Sequence, residues 1–470
     1  MAKFKTRVLE NIEITGIADK GFAVGRHEGV VVFVEGAVPG DWVDVWVYEK
    51  KKGHFRGKVE KLVTASPNRI APFCEHFEFC GGCKWQNLAY SSQLEFKQLE
   101  VENALRRIGK VEPETWFPII GNQSLQFFRN KLEYTASNRR WFTKEEMAKD
   151  THNEHRNGLG FHLPGHFDKV LDIENCYLQQ EPSNSIRLAI REHAINNDWT
   201  FYNVKLHEGM LRNVTIRTSS IGQNMVLISL GEDDADKRNA LFEDLRSKFG
   251  ENTIHTLCYV INTKMNDTIY DLEVVTYWGE GFIYEKIGSK QFKISPKSFF
   301  QTNTKQAEVL YNITADFAEL NGNQNVYDLY TGTGSIGCYV ADKCKHVVGI
   351  EEIEMAIADA KINAQLNNLE NTTFYCGDVK DLLKPDFIKK HGKPDVLITD
   401  PPRAGMHEHV VNMLLEMEVP LLVYVSCNPA TQARDLAILS AKYDVTKSQA
   451  VDMFPHTHHI ENVVQLRLKK

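Results

Sequence analysis

Residues 324–341, QNVYDLYTGTGSIGCYVA, run as an apolar strand, turn on glycines and enter a helix at once. No other feature restricts the fold as much. A helix that follows a strand this closely returns the chain to start a second strand parallel to the first, so repeated units build a parallel sheet covered by helices. The alternation continues through HVVGIE (346–351), the helical EMAIADAKINAQLNN (354–368), TTFYCGD (372–378), PDVLITDPPRAG (394–405) and PLLVYVSCNPAT (420–431). A doubly wound α/β sheet is expected. Ligands of such sheets bind beyond the carboxyl ends of the strands, and Tyr330, Glu351, Asp378, Asp400 and Cys427 all fall at those ends. The final stretch, 443–470, reads as two strands around a loop, an antiparallel pair that closes the sheet.

Cys427 ends an apolar run, and Asn428 and Pro429 follow it. Asn is a favoured helix N-cap and Pro suits the first helical position, so a strand-turn-helix junction is expected. The thiol then lies beside the positive end of a helix, which favours thiolate by ~0.3–1 kcal/mol. The plainer alternative is a small buried apolar residue. Company at the same sheet edge argues for a nucleophile.

Gly332, Gly334 and Gly337 form G-x-G-x-x-G, and a dinucleotide is the first ligand to consider. The charges disfavour it. Asp328 and Tyr330 stand beside the turn, where a carboxylate repels a pyrophosphate. Glu351 suits paired ribose hydroxyls and Asp378 an exocyclic amine. An acid-rich rim fits a ligand with an amino group and a sulfonium, S-adenosylmethionine. His456, His458 and His459 crowd one loop without a nearby cysteine, which suggests loop structure or substrate positioning over metal binding.

Upstream, short strands with close turn signals fill residues 1–64 and predict a small oligonucleotide-binding type barrel. Its basic stretch EKKKGHFRGKVEK (49–61) reads as a solvated hairpin tip. Next, Cys74, Cys80 and Cys83 stand in C-x5-C-x2-C spacing, with Gly81 and Gly82 letting the backbone wrap. Cys176 is the best candidate for a fourth ligand, and four thiolates suit zinc or an iron–sulfur cluster. The segment QFFRNKLEYTAS (126–137) interleaves aromatics with Arg129 and Lys131, an amphipathic strand or an RNA-contacting one. The net charge of −7 argues against a protein that coats nucleic acid, though it permits a local basic face. No apolar stretch reaches membrane-spanning length and the first residues lack a signal-like apolar region, so a cytoplasmic protein is expected.

SPKSFFQTN (295–303), YDLYTGTGSIG (327–337), DPPRAG (400–405), YVSCNPAT (424–431) and DMFPHTHHIENVV (452–464) resemble the motifs of the RNA uracil-5-methyltransferase family. The N-terminal segment resembles a TRAM domain. SPNRIAPFC (66–74) with CGGC (80–83) resembles the cluster-binding segment of the branch acting on 23S ribosomal RNA.

The resemblance implies a multidomain α/β chain: a TRAM barrel over 1–64, a central α+β cluster- and RNA-binding domain over 65–285, and a Rossmann-like class I methyltransferase domain over 286–470. A helix at 91–109 is expected to pack on the last. It implies donor contacts from Gln301, Tyr330, Glu351 and Asp400, with Asp378 added from its strand-end position. It makes Cys427 the nucleophile and Glu461 the base, and places a [4Fe–4S] cluster on Cys74, Cys80, Cys83 and Cys176. Ser335 departs from the family, which often has Asn there. The implied activity is C5 methylation of a uridine in large-subunit ribosomal RNA by a monomer without membrane association. The same reaction on transfer RNA, or a non-catalytic iron–sulfur RNA-binding protein, are the alternatives.

Overall fold

In the computed structural model, residues 6–148 and 156–470 are described. Strands Arg7–Ile17, Ala23–His27, Val30–Glu35, Trp42–Lys51 and His54–Thr64 close into a barrel, the fifth lying between the third and fourth. Alternation puts Val32, Val34, Val43, Val45 and Val47 inside. Where strands crowd, only glycine fits: a Cβ on Gly57 would lie 2.5 Å from the Val45 side chain. The buried Asp41 carboxylate pins the following segment to the barrel, accepting from Ser66 N at 2.9 Å and Arg69 Nη2 at 2.6 Å.

The segment 66–89 carries three cysteines and leads into helix Tyr90–Ala104, continued by Leu105–Gly109. This helix packs on the catalytic domain, with Val101, Ala104 and Leu105 against Ala433 and Leu436. Its Lys97 reaches Asp452 at 2.6 Å, both side chains fully buried.

Strand Thr115–Ile120, expected in the central domain, instead pairs in parallel with Tyr443–Val451 as the edge of the catalytic sheet. Both faces of the strand are apolar: Trp116 and Ile119 pack on one face of that sheet and Phe117 and Ile120 on the other, with a register shift between the Gln449 and Val451 pairings where strict alternation breaks. The central region holds a mixed eight-stranded sheet ordered Val275–Trp278, Thr256–Ile261, Asn224–Leu230, Leu211–Thr218, Lys131–Ser137, Gly158–His162, Val170–Asp172, Arg140–Trp141. Helices Ser183–Asn196 and Ala235–Thr253 cover it.

The catalytic sheet runs Thr372–Cys376, His346–Glu351, Asn325–Leu329, Val396–Thr399, Leu421–Ser426, Glu461–Leu468, Tyr443–Val451, Thr115–Ile120. Its first five strands are mutually parallel and Glu461–Leu468 is antiparallel to them. Helices Thr304–Ala318 and Glu354–Leu366 bury one face; Glu408–Met417 and Pro429–Leu439 bury the other. Strand order reverses between Asn325–Leu329 and Val396–Thr399, which opens a crevice at the carboxyl ends on either side.

Candidate active site

Five strand ends meet this crevice. At the first, Tyr330 has φ +61° and Gly334 φ +75° as the chain turns into the helix. A side chain on Gly334 would stand 3.0 Å from Ala360 Cβ and 3.1 Å from Phe374, so the turn needs glycine twice over. Asp328 lies beneath: its Oδ2 accepts from the Thr331 hydroxyl at 2.5 Å and Gly337 N at 3.0 Å. Burial still pushes its pKa up to about 7. Ser335 is hydrogen-bonded to the Tyr311 hydroxyl at 2.9 Å.

Glu351 ends the neighbouring strand. Its carboxylate accepts from Gly332 N and from Ile353 N, each at 3.1 Å, which holds it against the glycine turn. Asp378 caps the short helix Val379–Leu382 and pairs with Lys380 at 2.5 Å. The Lys380 hydrogen bond keeps it below the usual carboxylate range. Gln301 sits where the hairpin Ile283–Ile287/Lys290–Ile294 gives way to helix Thr304–Ala318, and its carbonyl accepts from Asn130 Nδ2 at 2.9 Å. Asn303 caps that helix and donates to Met453 O at 2.8 Å, tying the Gln301 loop to residues 452–460.

Cys427 follows strand Leu421–Ser426, half-buried, and Asn428 caps helix Pro429–Leu439 by accepting from Ala430 N at 3.1 Å. The junction is as expected; the thiol's electrostatics are not. Its pKa is pushed up to about 12, by burial first, then by the carboxyls of Glu461 and Asp400, with Arg403 opposing. The ~0.3–1 kcal/mol of a helix end is outweighed. Glu461 opens the antiparallel strand beside Cys427 and is buried. Burial and then Asp400 raise its pKa well above the ordinary carboxyl value, Arg403 again opposing. Asp400 rises to about 7, from burial and then from Asp328. A crevice with several reluctant carboxylates suits a cationic ligand, which would restore their charge. The residues therefore fit a sulfonium methyl donor.

Arg403 was not among the expected site residues, although it stands inside DPPRAG. Its carbonyl accepts from Asn428 Nδ2 at 3.1 Å and the Thr431 hydroxyl at 3.2 Å, fixing it against the Cys427 junction. Its Nη2 donates to His459 Nδ1 at 3.0 Å. Burial, then His458 and Arg403, depress the His459 pKa to about 3, so that ring is neutral and able to accept.

The four expected cysteines line one cavity of about 140 Å³ together with Phe73, Phe161 and Arg129. Among the described residues, no three His, Cys, Asp or Glu side chains gather tightly enough to hold a single metal ion. Burial pushes the thiols up, Cys74 to about 11 and Cys80 and Cys176 to about 12. A positive centre is needed to hold them as thiolates. Four sulfurs and a guanidinium share this cavity, a donor set of the kind that holds zinc or an iron–sulfur cluster.

Arg129 was expected on an RNA-facing strand. It lies ahead of the strand that begins at Lys131, with its guanidinium facing Cys83 and Cys176 and 5.0 Å from the centre of the Phe454 ring. The reason is a long-range pairing: Arg129 N donates to Leu178 O at 2.7 Å, so this segment follows the cysteine loop and turns its side chain inward. Lys131 is paired in register with Arg217 on the next strand and lies 3.7 Å from Glu133.

Residues 282–469 match the protein family described as tRNA (Uracil-5-)-methyltransferase, and residues 7–59 match the TRAM domain. An uncharacterized RNA methyltransferase of Bacteroides thetaiotaomicron is 49% identical over 96% of this chain and 100% of its own length. One from Porphyromonas gingivalis is 50% identical over 97% of this chain and 99% of its own. Among solved structures, the Pyrococcus abyssi tRNA (uracil-54, C5)-methyltransferase in complex with S-adenosyl-L-homocysteine superposes with a TM-score of 0.74 at 29% identity, covering 97% of this chain and 99% of that one.

Proposed function

The chain belongs to the S-adenosylmethionine-dependent RNA uracil-5-methyltransferase family with a TRAM domain, and we propose that it methylates C5 of a uridine in large-subunit ribosomal RNA through a covalent Cys427 adduct. One observation carries the mechanism: Cys427 and Glu461 occupy facing ends of adjacent antiparallel strands, with Asp400 and Arg403 beside them. Uracil C5 is a poor nucleophile. The Cys427 thiol gives up its proton to solvent, the thiolate bonds to C6, and the electron pair of the C5–C6 double bond moves through the ring to make an enolate with density at C5. The donor supplies an electrophilic methyl on its sulfonium, which C5 takes. Glu461, as carboxylate, then removes the C5 proton, the C6–S bond breaks and the ring double bond returns. Burial and Asp400 raise the proton affinity of Glu461, which makes it a stronger base for that carbon acid. Arg403 stabilises the thiolate and the developing enolate charge. Gln301, Tyr330, Glu351, Asp378 and Asp400 are assigned to the donor side of the crevice.

A uridine within folded RNA has to be unstacked to reach Cys427. The barrel, with Lys51, Arg56 and Lys58 along its basic hairpin, is assigned to holding the RNA. Lys131 is assigned to it as well, whereas the inward-turned Arg129 is assigned to the cysteine cavity. Cys74, Cys80, Cys83 and Cys176 are assigned to a [4Fe–4S] cluster that, when bound, cross-links the segment 74–83 to residue 176. No redox step is needed. The chain is taken to act as a cytoplasmic monomer; nine unpaired cysteines suit a reducing compartment.

A transfer-RNA substrate is the second reading, favoured by the likeness to the Pyrococcus abyssi enzyme, which is named for uracil 54 of tRNA. The four-cysteine set is taken to favour ribosomal RNA; the barrel does not discriminate, because the likeness to the Pyrococcus abyssi enzyme covers 97% of this chain. Incubating the chain with C5-tritiated uridine in large-subunit ribosomal RNA or in tRNA decides between them. The proposal expects tritium release to water from the ribosomal RNA, and a denaturation-resistant adduct on its 5-fluorouridine form that vanishes in Cys427→Ala. Release from tRNA alone moves the assignment to the second reading, and release from neither RNA refutes both.

A further inference from the structure

We propose that His456 is a positioning residue for the reaction: it seats the loop that carries His459 and leads into Glu461 onto the segment that carries three of the cysteines. The inference deepens the reading above and rests on Glu461 being the base.

His456 is 3% exposed and has φ +64°, a backbone conformation rare for a residue with a side chain. Nearly every polar atom it has is used. Its N donates to Gln93 Oε1 at 2.9 Å, and its carbonyl accepts from Lys84 N at 2.7 Å and Trp85 N at 3.0 Å. Ring Nε2 lies 3.0 Å from Leu125 O and Nδ1 lies 3.3 Å from Gln93 Nε2. Leu125 O can only accept, so Nε2 carries the proton; the two hydrogens of the Gln93 amide go to Trp85 O and Leu88 O, each at 2.8 Å, and Nδ1 is left with the longer contact to that nitrogen. The neutral Nε2–H tautomer is the one that fits the Leu125 carbonyl. The ring also packs edge-on against Phe73, with centroids 5.1 Å apart.

Phe73 directly precedes Cys74 and Lys84 directly follows Cys83, so His456 grips both ends of the cysteine-bearing segment. Its other side leads to the reacting groups. The Thr457 hydroxyl donates to Phe454 O at 2.8 Å and accepts from His459 N at 3.2 Å, and His459 accepts from Arg403 beside Cys427. Glu461 follows two residues later. Loosening His456 therefore shifts Glu461 and Arg403 against the thiol while leaving the glycine turn and Glu351, which it does not touch.

Glu461 acts only in the last step, so its displacement has a specific consequence: addition and methyl transfer go on, elimination slows and the methylated adduct accumulates on ordinary uridine RNA. The experiment uses the full chain, S-adenosylmethionine and total RNA from cells lacking the gene, with Glu461→Gln as reference. It compares the denaturation-resistant adduct, tritium release and the donor dissociation constant in His456→Asn, which tolerates the left-handed backbone, and in Gln93→Leu. The expected result is adduct accumulation as in Glu461→Gln, tritium release down by about tenfold or more, and donor affinity within about twofold of the parent. Release within about twofold of the parent in both variants overturns the proposal, as does a loss of release without adduct. If His456→Asn does not fold, Gln93→Leu decides alone. Adduct in Glu461→Gln but in neither other variant removes only this proposal. Full release by Glu461→Gln removes the base assignment and the proposal with it.

Discussion

Cys427 and Glu461 face each other one step beyond Ser426 and Asn462, the last paired residues of two antiparallel strands. The sheet ladder sets a nucleophile opposite a carboxyl, and the loop seated by His456 fixes how Glu461 enters that ladder. Arg403, held over the pair by His459 and the Asn428 cap, supplies a positive charge there.

Removing that charge should make the thiol less reactive. A cation near a thiol lowers its pKa, so Arg403→Gln pushes the Cys427 value further up and leaves less thiolate at any given pH. Alkylation of Cys427 by iodoacetamide at fixed pH, followed by mass spectrometry, should slow by about three- to tenfold. An unchanged rate contradicts the placement.

Asp400 should make donor binding depend on pH. Its pKa of about 7 lies above the ordinary carboxyl value, and a bound sulfonium favours the ionised form, so binding releases a proton. Affinity for S-adenosylmethionine should rise about tenfold between roughly pH 6 and 8 and then level off, because the ionised fraction rises by that factor. Titration calorimetry should show a shallower rise for the uncharged thioether S-adenosylhomocysteine, and a flattened one in Asp400→Asn. Equal slopes in the parent and in Asp400→Asn contradict it.

Lys97 and Asp452 form a fully buried ion pair, and Asp452 also accepts from the Tyr90 hydroxyl at 2.8 Å. Lys97→Met leaves a buried carboxylate without its cation and should cost about 3–5 kcal/mol. Adding Asp452→Leu should return part of that stability, because neither charge is then buried. Denaturant midpoints measure both; a double variant less stable than Lys97→Met counts against the account.

The cysteine cavity should hold a cluster. Anaerobically prepared chain should carry about four irons, and Cys80→Ser should lose most of them. That variant should weaken RNA binding more than donor binding, since the cavity lies outside the crevice of the glycine turn. About one zinc per chain in place of iron, or equal loss of both affinities in a folded variant, contradicts it.

Much of this site was legible in the linear chain. Strand-turn-helix alternation is a local pattern, and with the rule that such sheets bind ligands at their carboxyl ends it puts Tyr330, Glu351, Asp378, Asp400 and Cys427 at one edge. Period-two alternation foretold the barrel in the same way, and the cysteine spacing foretold a common site. Tertiary structure decided the rest. Thr115–Ile120 joins a sheet whose partner strand begins at Tyr443, and Arg129 turns inward because its backbone follows Leu178. The thiol of Cys427 is held protonated where the helix end alone favours thiolate, and Arg403 becomes its neighbour only when two strands align. Periodicity is written in neighbouring residues. Ionisation and long-range pairing depend on which distant groups exclude water from a side chain, and only the folded chain determines that.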